Sequence, residues 1–249
     1  MAAAASQPVS EQLTPPDDSI YVFTDIETDS ISAKLLLQIA AVTPTGDKFN
    51  IFINPKSPLT KDCSDLLGLF YFNGDLYREG TRLYSKPIKT ALFEFMKWIS
   101  KQPRTVTLVF HNGFSFDCTV LAKFLTQFKI PIAENLLFVA DTLPYLRRSF
   151  KDDSLENHKL GTLAKHFNIS HDLAHDAYSD CLTLMLICNH IVNLNETCYQ
   201  EIFKESSRPF STYLNRQLFG TPIKPLKRKR KIRNKKDNSQ KELDKHENC

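Results

Sequence analysis

The sequence predicts an α/β domain built on a mixed sheet of five strands flanked by helices, and two observations carry that prediction. Three runs rich in β-branched and aromatic residues, at 20–27, 35–43 and 48–54, precede any helical pattern. After them, helical periods alternate with two further apolar runs, as in sheets whose strands are joined by helical crossovers. The chain has 249 residues, 42% of them hydrophobic, which is enough apolar material for one core of ordinary size.

The second and third of these runs are expected to form an antiparallel hairpin. A Pro-Thr-Gly-Asp turn signal at 44–47 separates the run at 35–43 from the run at 48–54. The stretch that follows, 59–87, is less regular and holds Asn-Gly and Glu-Gly turn signals. Its sequence indicates no role.

The alternating part begins with a helix at 87–100, where a Pro opens a run whose apolar residues recur every three or four positions. Residues 105–110 (TVTLVF) are almost continuously apolar, as a buried central strand would be, and 136–140 (LLFVA) predicts the fifth strand. A weak helical period at 195–220 indicates further helical structure packed against the domain. Stronger periods predict helices at 116–128, 158–167 and 176–193.

Both ends of the chain are predicted to be disordered tails around a domain at 19–220. Residues 1–18 are polar, punctuated by Pro and free of Lys and Arg, so they lack the charged opening of a secretory or mitochondrial signal. No stretch approaches the roughly 18 apolar residues needed to cross a bilayer, which predicts no membrane association. The six Cys are scattered without a CxxC pair, which favours reduced, structural thiols.

The tail at 221–249 is strongly basic. It carries 11 Lys and Arg against 4 Asp and Glu, whereas the 220 residues before it carry 21 against 24. Its densest run predicts a nuclear localisation signal read by an import receptor, with cytoplasmic residence, a phosphate-binding arm or a solubilising tail as alternatives. The tail has no aromatic residue for base stacking, so contact with a nucleic-acid strand is expected from the domain. The run consists of Lys227, Arg228, Lys229, Arg230 and Lys231.

Asp25 and Glu27 are the first candidates for chemistry. They lie two positions apart at the end of a predicted strand, so their side chains project from one face. Carboxylates held side by side repel each other, and a cation or a proton relieves that repulsion. Taken alone, the pair also fits a strand end that runs into solvent.

The second candidate segment, 111–117 (HNGFSFD), follows a predicted buried strand. Gly113 provides a turn at which the backbone could approach a ligand, and Asp117 falls at the start of the next helix. Asp is also well suited to cap a helix N-terminus, worth about 1 kcal/mol. This segment by itself therefore favours a structural N-cap role for Asp117.

The third candidate segment is 175–180 (HDAYSD). On a regular helix His175 and Asp180 would lie about 140° apart. They converge only if His175 lies on the loop before the helix and Asp180 on its first or second turn, which makes Asp176 the natural N-cap. Asp180 has apolar neighbours in sequence, an unusual place for an unpaired charge, and this favours a functional role.

Together the three segments supply four carboxylates, from Asp25, Glu27, Asp117 and Asp180. Hard oxygen ligands suit Mg²⁺ or Mn²⁺, and four of them can hold two ions roughly 3.5–4 Å apart, the arrangement that cleaves phosphodiesters. A histidine, with an ordinary pKa near 6.5, can take a proton from the attacking water. His175 is placed to do so.

Two other kinds of site are disfavoured. His166, His171, His175 and Cys181 lie near one another in sequence, but the chain has neither HExxH nor a Cys pair, so zinc is not favoured. The GxSxG motif of nucleophile-elbow hydrolases is also absent from the sequence.

The motifs DIET at 25–28, HNGFSFD at 111–117 and HDAYSD at 175–180 occur in the order and spacing of a known set. Over about residues 20–194 the chain resembles the DEDDh (DnaQ-like) 3′→5′ exonucleases. The wording of the second motif, with LLQIAAVT and LLGLFYFNGDLYREG, looks closest to the three-prime repair exonucleases and to the exonuclease-like domain of promyelocytic leukaemia protein and its stand-alone relatives. The resemblance implies a ribonuclease-H-like fold.

The resemblance also implies roles for the reactive residues. Asp25, Glu27 and Asp180 would bind a catalytic Mg²⁺, and Asp25 would bridge to a second ion. Asp117 would help to hold that second ion, mainly through water, and Mn²⁺ is expected to substitute for Mg²⁺. His175 would be the general base.

Substrate contacts follow from the same resemblance. The backbone at Thr28 would hold the 3′-terminal nucleotide, Ile31 would wedge against the last base, and Asn112 would contact the substrate. Family members often continue the first motif as ETTG or EATG, whereas here Asp29 adds a negative charge near the phosphate path. This departure bears on the nucleotide contacts and not on the metal ligands.

The expected function is therefore a metal-dependent 3′→5′ exonuclease that releases nucleoside monophosphates from single-stranded 3′ ends. The subfamily resemblance favours DNA over RNA. An RNA exonuclease and an inactive binding module that kept the fold stay open, although five intact reactive residues speak against the second. The segment 59–87 leaves a partner-recruiting role open as well.

Overall fold

The computed structural model describes residues 14–151, 155–171 and 173–223, and in these ranges the chain forms ten strands and eight helices. The strands are β1 (Ile20–Thr28), β2 (Leu36–Val42), β3 (Lys48–Ile53), β4 (Leu69–Phe72), β5 (Asp75–Arg78), β6 (Thr81–Leu83), β7 (Ser85–Lys86), β8 (Val106–Phe110), β9 (Leu136–Asp141) and β10 (Ser207–Pro209). The helices are α1 (Lys61–Leu67), α2 (Ile88–Ser100), α3 (Asp117–Gln127), α4 (Thr142–Ser149), α5 (Leu160–His166), α6 (Ala177–Leu194), α7 (Tyr199–Phe203) and α8 (Ser211–Phe219).

The large sheet is mixed, as predicted. Within the described residues its strand order is β10-β9-β8-β1-β2-β3-β7. β1, β2 and β3 pair antiparallel, while β8 and β9 extend the sheet in parallel on the other side of β1. The predicted number of five strands is wrong, because β7 and β10 add two short edge strands. Strands of two and three residues are too short to show a period in the sequence.

Alternate residues of β1 point to opposite faces of this sheet. Val22 and Ile26 pack in the core on the side of α2 and α3, whereas Tyr21 and Phe23 pack in the core on the side of α6. Asp25 and Glu27 continue the second set, so the two-residue period directs their carboxyl groups towards α6.

Most of the stretch 59–87, up to the end of β6, forms a small unit against the large sheet, and β7 then joins the large sheet beside β3. Helix α1 and the antiparallel strands β4, β5 and β6 enclose a small core in which Leu37 of β2 meets Leu69 and Leu76. Both turn signals join consecutive strands of this small sheet, and all four turn residues have positive φ, as tight hairpin turns require. The sequence indicated the turns but not the strands, which have only three or four residues each.

The four helices predicted from clear periods are present, as α2, α3, α5 and α6, within a few residues of their expected bounds. Two further helices, α1 and α4, were not predicted from the sequence. α1 has seven residues and α4 has eight, and α4 contains Pro144 in its first turn. The weakly periodic stretch 195–220 contains α7, β10 and α8. Short elements of this kind depend on the neighbours against which they pack and not on a pattern of their own.

Most of both predicted tails, including the basic run at 227–231, lies outside the described residues. Residues 14–18 are described, with Pro15 buried and the Asp17 carboxylate accepting a hydrogen bond from the Gln200 amide. The described cysteines are free thiols, of which four are buried, as expected for structural thiols, whereas Cys198 is exposed. In the part of the chain that the structure describes, no helix has the length and apolar character that spanning a membrane requires.

Candidate active site

The first two candidate segments meet at one edge of the large sheet. β1 and β8 are parallel, so Asp25 and Glu27 at the end of β1 lie at the same edge as the segment 111–117 that follows β8. The charges of Asp117 and Asp180 both act on the Asp25 carboxyl group, as does that of Glu27. The structure therefore brings all four predicted carboxylates together.

The third segment approaches this edge from α6. His175 lies on the turn before the helix, and Asp180 lies in its first turn. Asp176 is the N-cap, as predicted, and accepts hydrogen bonds from two amides of that turn at 3.0 and 3.1 Å. Ligand atoms of Glu27, His175 and Asp180 all lie within 4.8 Å of one another. His175 and Asp180 therefore converge as predicted, because His175 precedes the helix and Asp180 lies in its first turn.

Asp117 is not the N-cap of α3. It is the first residue of the helix, and Phe116 occupies the cap position without a side-chain hydrogen bond. The structural reading that its segment favoured is therefore wrong. Asp117 is 7% exposed, and its carboxyl group accepts a hydrogen bond from the amide of Ile26, between Asp25 and Glu27.

We call Asp25, Glu27, Asp117 and Asp180 the carboxylate cluster, and the pKa of each member is raised. Burial is the largest cause for every one, and for Asp25 and Glu27 the charges of the other members raise the pKa further. The pKa of Glu27 rises to about 8 and that of Asp117 to about 7. Ionised oxygens packed this closely fit a site for divalent cations.

His171 is a contact that sequence reasoning did not find. Its Nε2 lies 2.6 Å from Oδ1 of Asp180, and this hydrogen bond works against the effect of burial on the pKa of Asp180. From the sequence, His171 was named only as a member of a disfavoured zinc site with His166, His175 and Cys181. The metal-ligand group found among the described residues contains His175 but none of the other three, and the buried Cys181 thiol donates to the backbone carbonyl of Ala40 at 3.3 Å.

Two further residues missed in the sequence contact Asp176. Its Oδ2 accepts a hydrogen bond from Nη1 of Arg78 at 2.5 Å and from Nε2 of Gln38 at 3.2 Å. Gln38 lies opposite Glu27 in the β1–β2 ladder, and its Oε1 accepts from the amide of Ala177 at 3.2 Å. Burial raises the pKa of Asp176, but the hydrogen bonds from Arg78, the first-turn amide and Gln38 bring it below its ordinary value.

Asp141 organises the loop between β8 and α3. The carboxylate of this buried residue accepts hydrogen bonds from the amides of Asn112 at 2.9 Å, Phe114 at 3.1 Å and Leu143 at 2.9 Å. Asn112 has a φ of 61°, so the chain turns sharply at the point that Asp141 holds. A sequence signal did exist, since Asp141 directly follows the predicted strand at 136–140.

Gly113 is required by a close approach to its own strand. A Cβ atom at this position would lie 2.2 Å from Cβ of Phe110, so only glycine lets the loop fold back on the end of β8. The approach of the backbone to a ligand at this turn stays a prediction. His111 fastens the same loop, with its ring nitrogens 2.8 Å from Oγ1 of Thr142 and 2.8 Å from the carbonyl oxygen of His158. Burial lowers the pKa of His111 to about 4.

A cleft of about 660 Å³ opens beside the carboxylate cluster, between the β1–β2 loop and α1. Thr28 and Ile31 line it, and Ile31 is 94% exposed. Asn112 lies outside the lining residues, so the structure does not bring this predicted contact to the cleft. Oδ1 of Asp29 accepts a hydrogen bond from the Leu35 amide at 2.7 Å, which ties this carboxylate into its own loop.

The chain is also similar to known proteins. A family model for RNase_T exonucleases matches residues 22–188, a range that includes every predicted reactive residue. The chain belongs to the DnaQ-like exonuclease family. Its closeness to the three-prime repair exonucleases within that family stays a prediction.

Curated relatives include PolC-type DNA polymerases III. The protein of Listeria monocytogenes is 32% identical over 170 residues, which cover 66% of this chain and 11% of that polymerase. The protein of Bacillus subtilis is 28% identical over 217 residues, covering 80% of this chain and 14% of that polymerase. The DnaQ-like chain described here thus spans about a tenth of the length of these relatives.

Solved structures of E. coli exonuclease I have the same fold. The complex with a dA16 oligonucleotide has a TM-score of 0.56 at 15% identity, covering 70% of this chain and 41% of that one. The zinc-ion-bound complex with single-stranded DNA has a TM-score of 0.56 at 14% identity, with the same coverage. The likeness confirms the ribonuclease-H-like α/β fold.

Proposed function

We propose that this chain is a divalent-metal-dependent 3′→5′ exonuclease that removes nucleoside monophosphates from the 3′ end of single-stranded DNA. One observation carries the proposal. Glu27, His175 and Asp180 converge within 4.8 Å, beside Asp25 and Asp117, at a sheet edge that opens into a cleft. Family membership supports this function, and the complete set of reactive residues speaks against a module that only binds.

The carboxylate cluster fits two Mg²⁺ ions, for which Mn²⁺ should substitute. Its donors are hard oxygens, and their burial and mutual repulsion raise the cluster's pKa values, a cost that divalent cations relieve. Asp25, Glu27 and Asp180 would hold one ion, and Asp25 and Asp117 the other. The chemistry that bound Mg²⁺ supplies is activation of water and neutralisation of charge on the phosphate oxygens.

His175 is the proposed general base. Its side chain is exposed on the turn before α6, so the imidazole can take a proton from the attacking water and release it to solvent. The water oxygen forms a bond to phosphorus while the bond from phosphorus to the O3′ of the preceding nucleotide breaks, and the departing O3′ takes up a proton from solvent water. The products are a nucleoside 5′-monophosphate and a strand one nucleotide shorter with a free 3′ hydroxyl.

The cleft is the proposed site of the terminal nucleotide. Thr28 and Ile31 line it next to the cluster, so a base seated there would bring its phosphate towards the carboxylates. The matches to PolC-type DNA polymerases III, and to exonuclease I solved with a dA16 oligonucleotide, support DNA as the substrate. A contact from Asn112 stays a prediction.

The test is a comparison of 5′-labelled single-stranded DNA and RNA of one sequence. With Mg²⁺ we expect a DNA ladder that shortens from the 3′ end, and we expect EDTA or Asp180→Ala to remove it. Asp65→Ala, which changes an exposed carboxylate of α1, should keep the ladder and serves as the matched control. A folded protein that yields no ladder on either polymer, with Mg²⁺ or Mn²⁺, overturns the proposal. A ladder on RNA alone overturns the DNA assignment.

We also propose that the basic run at 227–231, which lies outside the described residues, directs the protein to the nucleus through an import receptor. The support is its charge density after a Pro at 225. A fluorescent reporter fused to residues 221–249 should accumulate in nuclei, and a version with Lys and Arg at 227–231 changed to Gln should not. Equal distribution of the two reporters contradicts the proposal.

A further inference from the structure

We propose that Arg78, on the small sheet, is a positioning residue that holds the turn carrying His175, so that the stretch 59–87 takes part in catalysis. The inference rests on the proposed exonuclease function. It also gives a role to a stretch for which the sequence indicated none.

Arg78 links two separate parts of the fold. On β5, Leu76 and Arg78 point to the same face, and Leu76 is fully buried in the core that joins the small sheet to β2. Arg78 is thereby directed towards the large sheet, where its guanidinium carbon lies 5.2 Å from the centre of the Phe52 ring. Its Nη1 donates a hydrogen bond to Oδ2 of Asp176 at 2.5 Å.

The turn that Arg78 reaches holds an unfavourable backbone conformation. His175 has a φ of 63°, in the left-handed region that side chains with a Cβ avoid. Such a conformation persists only when the surrounding structure holds it. The residue that follows, Asp176, is fixed by contacts from Arg78, from Gln38 and from two amides of α6. Arg78 differs from the other partners of Asp176 in two ways: its side chain is charged, and it belongs to the small sheet.

Stability alone does not account for an arginine at this position. Nε and Nη2 of Arg78 are buried without a hydrogen-bond partner among the described residues. Buried donors without partners are unfavourable, and a partly buried ion pair is weak evidence of net stabilisation. An apolar side chain could cover Phe52 without leaving donors unpaired. The arginine is explained if its pairing with Asp176 sets the geometry of the neighbouring His175.

Loss of this contact should lower the turnover rate more than substrate binding. A displacement of the general base by about 1 Å can reduce a rate by about 100-fold. Arg78 is not among the residues that line the cleft with Thr28 and Ile31, so the Michaelis constant should change little. We expect Arg78→Gln to lower kcat by roughly 10- to 100-fold with KM within about threefold of wild type.

The experiment measures kcat and KM of the full chain on 5′-labelled single-stranded DNA with Mg²⁺, for Arg78→Gln, Arg78→Lys and Asp176→Asn. Each change is also made in a His175→Ala background. Arg82→Gln is the matched control, because Arg82 belongs to the same small sheet but pairs with Asp75 on its exposed side. Thermal unfolding shows that each variant is folded. If Arg78→Gln does not fold, Arg78→Lys provides the same comparison.

The inference predicts that Arg78→Gln loses kcat, that Arg78→Lys loses less, and that Arg82→Gln resembles wild type. In the His175→Ala background, Arg78→Gln should change kcat by less than about twofold, because the group that it positions is already gone. An equal loss in both backgrounds, a rise in KM with kcat unchanged, or an equal loss in Arg82→Gln overturns the positioning role. Wild-type protein without activity instead overturns the proposed function itself.

Discussion

Replacing Glu27 by Gln removes one charge from the carboxylate cluster while keeping the size of the side chain. The pKa of Glu27 is about 8 in the folded chain, against an ordinary 4.5, because burial and the charges of Asp180 and Asp117 disfavour its ionised form. Between these two values the folded chain keeps a proton that the unfolded chain has lost. The free energy of unfolding of the metal-free wild type therefore falls as pH rises through this range, and the variant lacks that fall.

The size of the effect follows from the same two values. Each pH unit between 4.5 and about 8 lowers the free energy of unfolding by about 1.4 kcal/mol, which sets an upper limit of about 5 kcal/mol. Glu27 is only partly buried and borders an open cleft, so water screens part of the repulsion. We expect Glu27→Gln to gain roughly 1–3 kcal/mol over wild type at pH 8.5, and almost nothing near pH 4. For a domain of this size, 1 kcal/mol raises Tm by about 2–4 °C.

The assay is thermal unfolding of both proteins in EDTA at pH 4, 6 and 8.5, repeated with Mg²⁺. Divalent ions relieve the repulsion in wild type, so Mg²⁺ should raise the Tm of wild type more than that of Glu27→Gln, and most at pH 8.5. Hydrolysis of single-stranded DNA by the variant should be lost. Glu134→Gln is the matched control, since it removes an exposed carboxylate before β9, at the opposite edge of the sheet.

Two results would refute this reasoning. In EDTA at pH 8.5, the Tm of Glu27→Gln could equal or fall below that of wild type, which would mean that the cluster is not under electrostatic strain. Alternatively, a gain that is the same at pH 4 and 8.5 would show that the stabilisation has a cause other than ionisation.

Other changes test the site piece by piece. His175→Ala should slow hydrolysis of 5′-labelled DNA by roughly 10²- to 10⁴-fold with Tm nearly unchanged, and a loss below about twofold would remove it as the base. Gly113→Ala places a Cβ 2.2 Å from that of Phe110 and should lower the free energy of urea unfolding by roughly 1–3 kcal/mol; wild-type stability would show that the loop yields freely. Asp141→Asn turns one acceptor oxygen into a donor, so an amide such as that of Asn112 loses its partner. A loss of about 1–3 kcal/mol is expected in the same urea titration, and a stability equal to wild type would contradict the role of Asp141.

The parts of this molecule that the sequence predicted are those whose signals are local. The two-residue period of β1 was enough to place Asp25 and Glu27 on one side of the sheet, and the helical angle was enough to require His175 before α6. The parallel order of β1 and β8 then brought distant motifs to one edge. Short elements such as β7 and β10 were not predicted, because they form only where the edge strand of an existing sheet offers hydrogen bonds.

Asp117 shows how a correct local preference can give the wrong role. Asp is a good N-cap, and its motif stands at the start of a helix, so capping was the favoured interpretation. In the structure the helix begins one residue earlier than that reading needs, and Phe116 takes the cap position. The carboxyl group of Asp117 instead belongs to the carboxylate cluster, where burial raises its pKa to about 7. Asp117 does not cap the helix, and its burial beside other carboxylates is unfavourable for stability. A role in the chemistry of the site therefore explains an Asp at this position better than a contribution to stability does.

Arg78 and His171 could not have been predicted in the same way, because each acts across the fold. Arg78 and Asp176 lie 98 positions apart, and nothing near either residue signals the other. His171 is nearer to Asp180, but its hydrogen bond depends on the path of the loop before α6 and not on a helical spacing. Sequence motifs identify the five proposed reactive residues, whereas the positioning of their side chains depends on contacts that only the folded chain creates. These five residues are Asp25, Glu27, Asp117, His175 and Asp180. Among chains that share these five residues, differences in catalytic rate should therefore depend on such contacts. In this chain, the pair formed by Arg78 and Asp176 provides the test of that expectation.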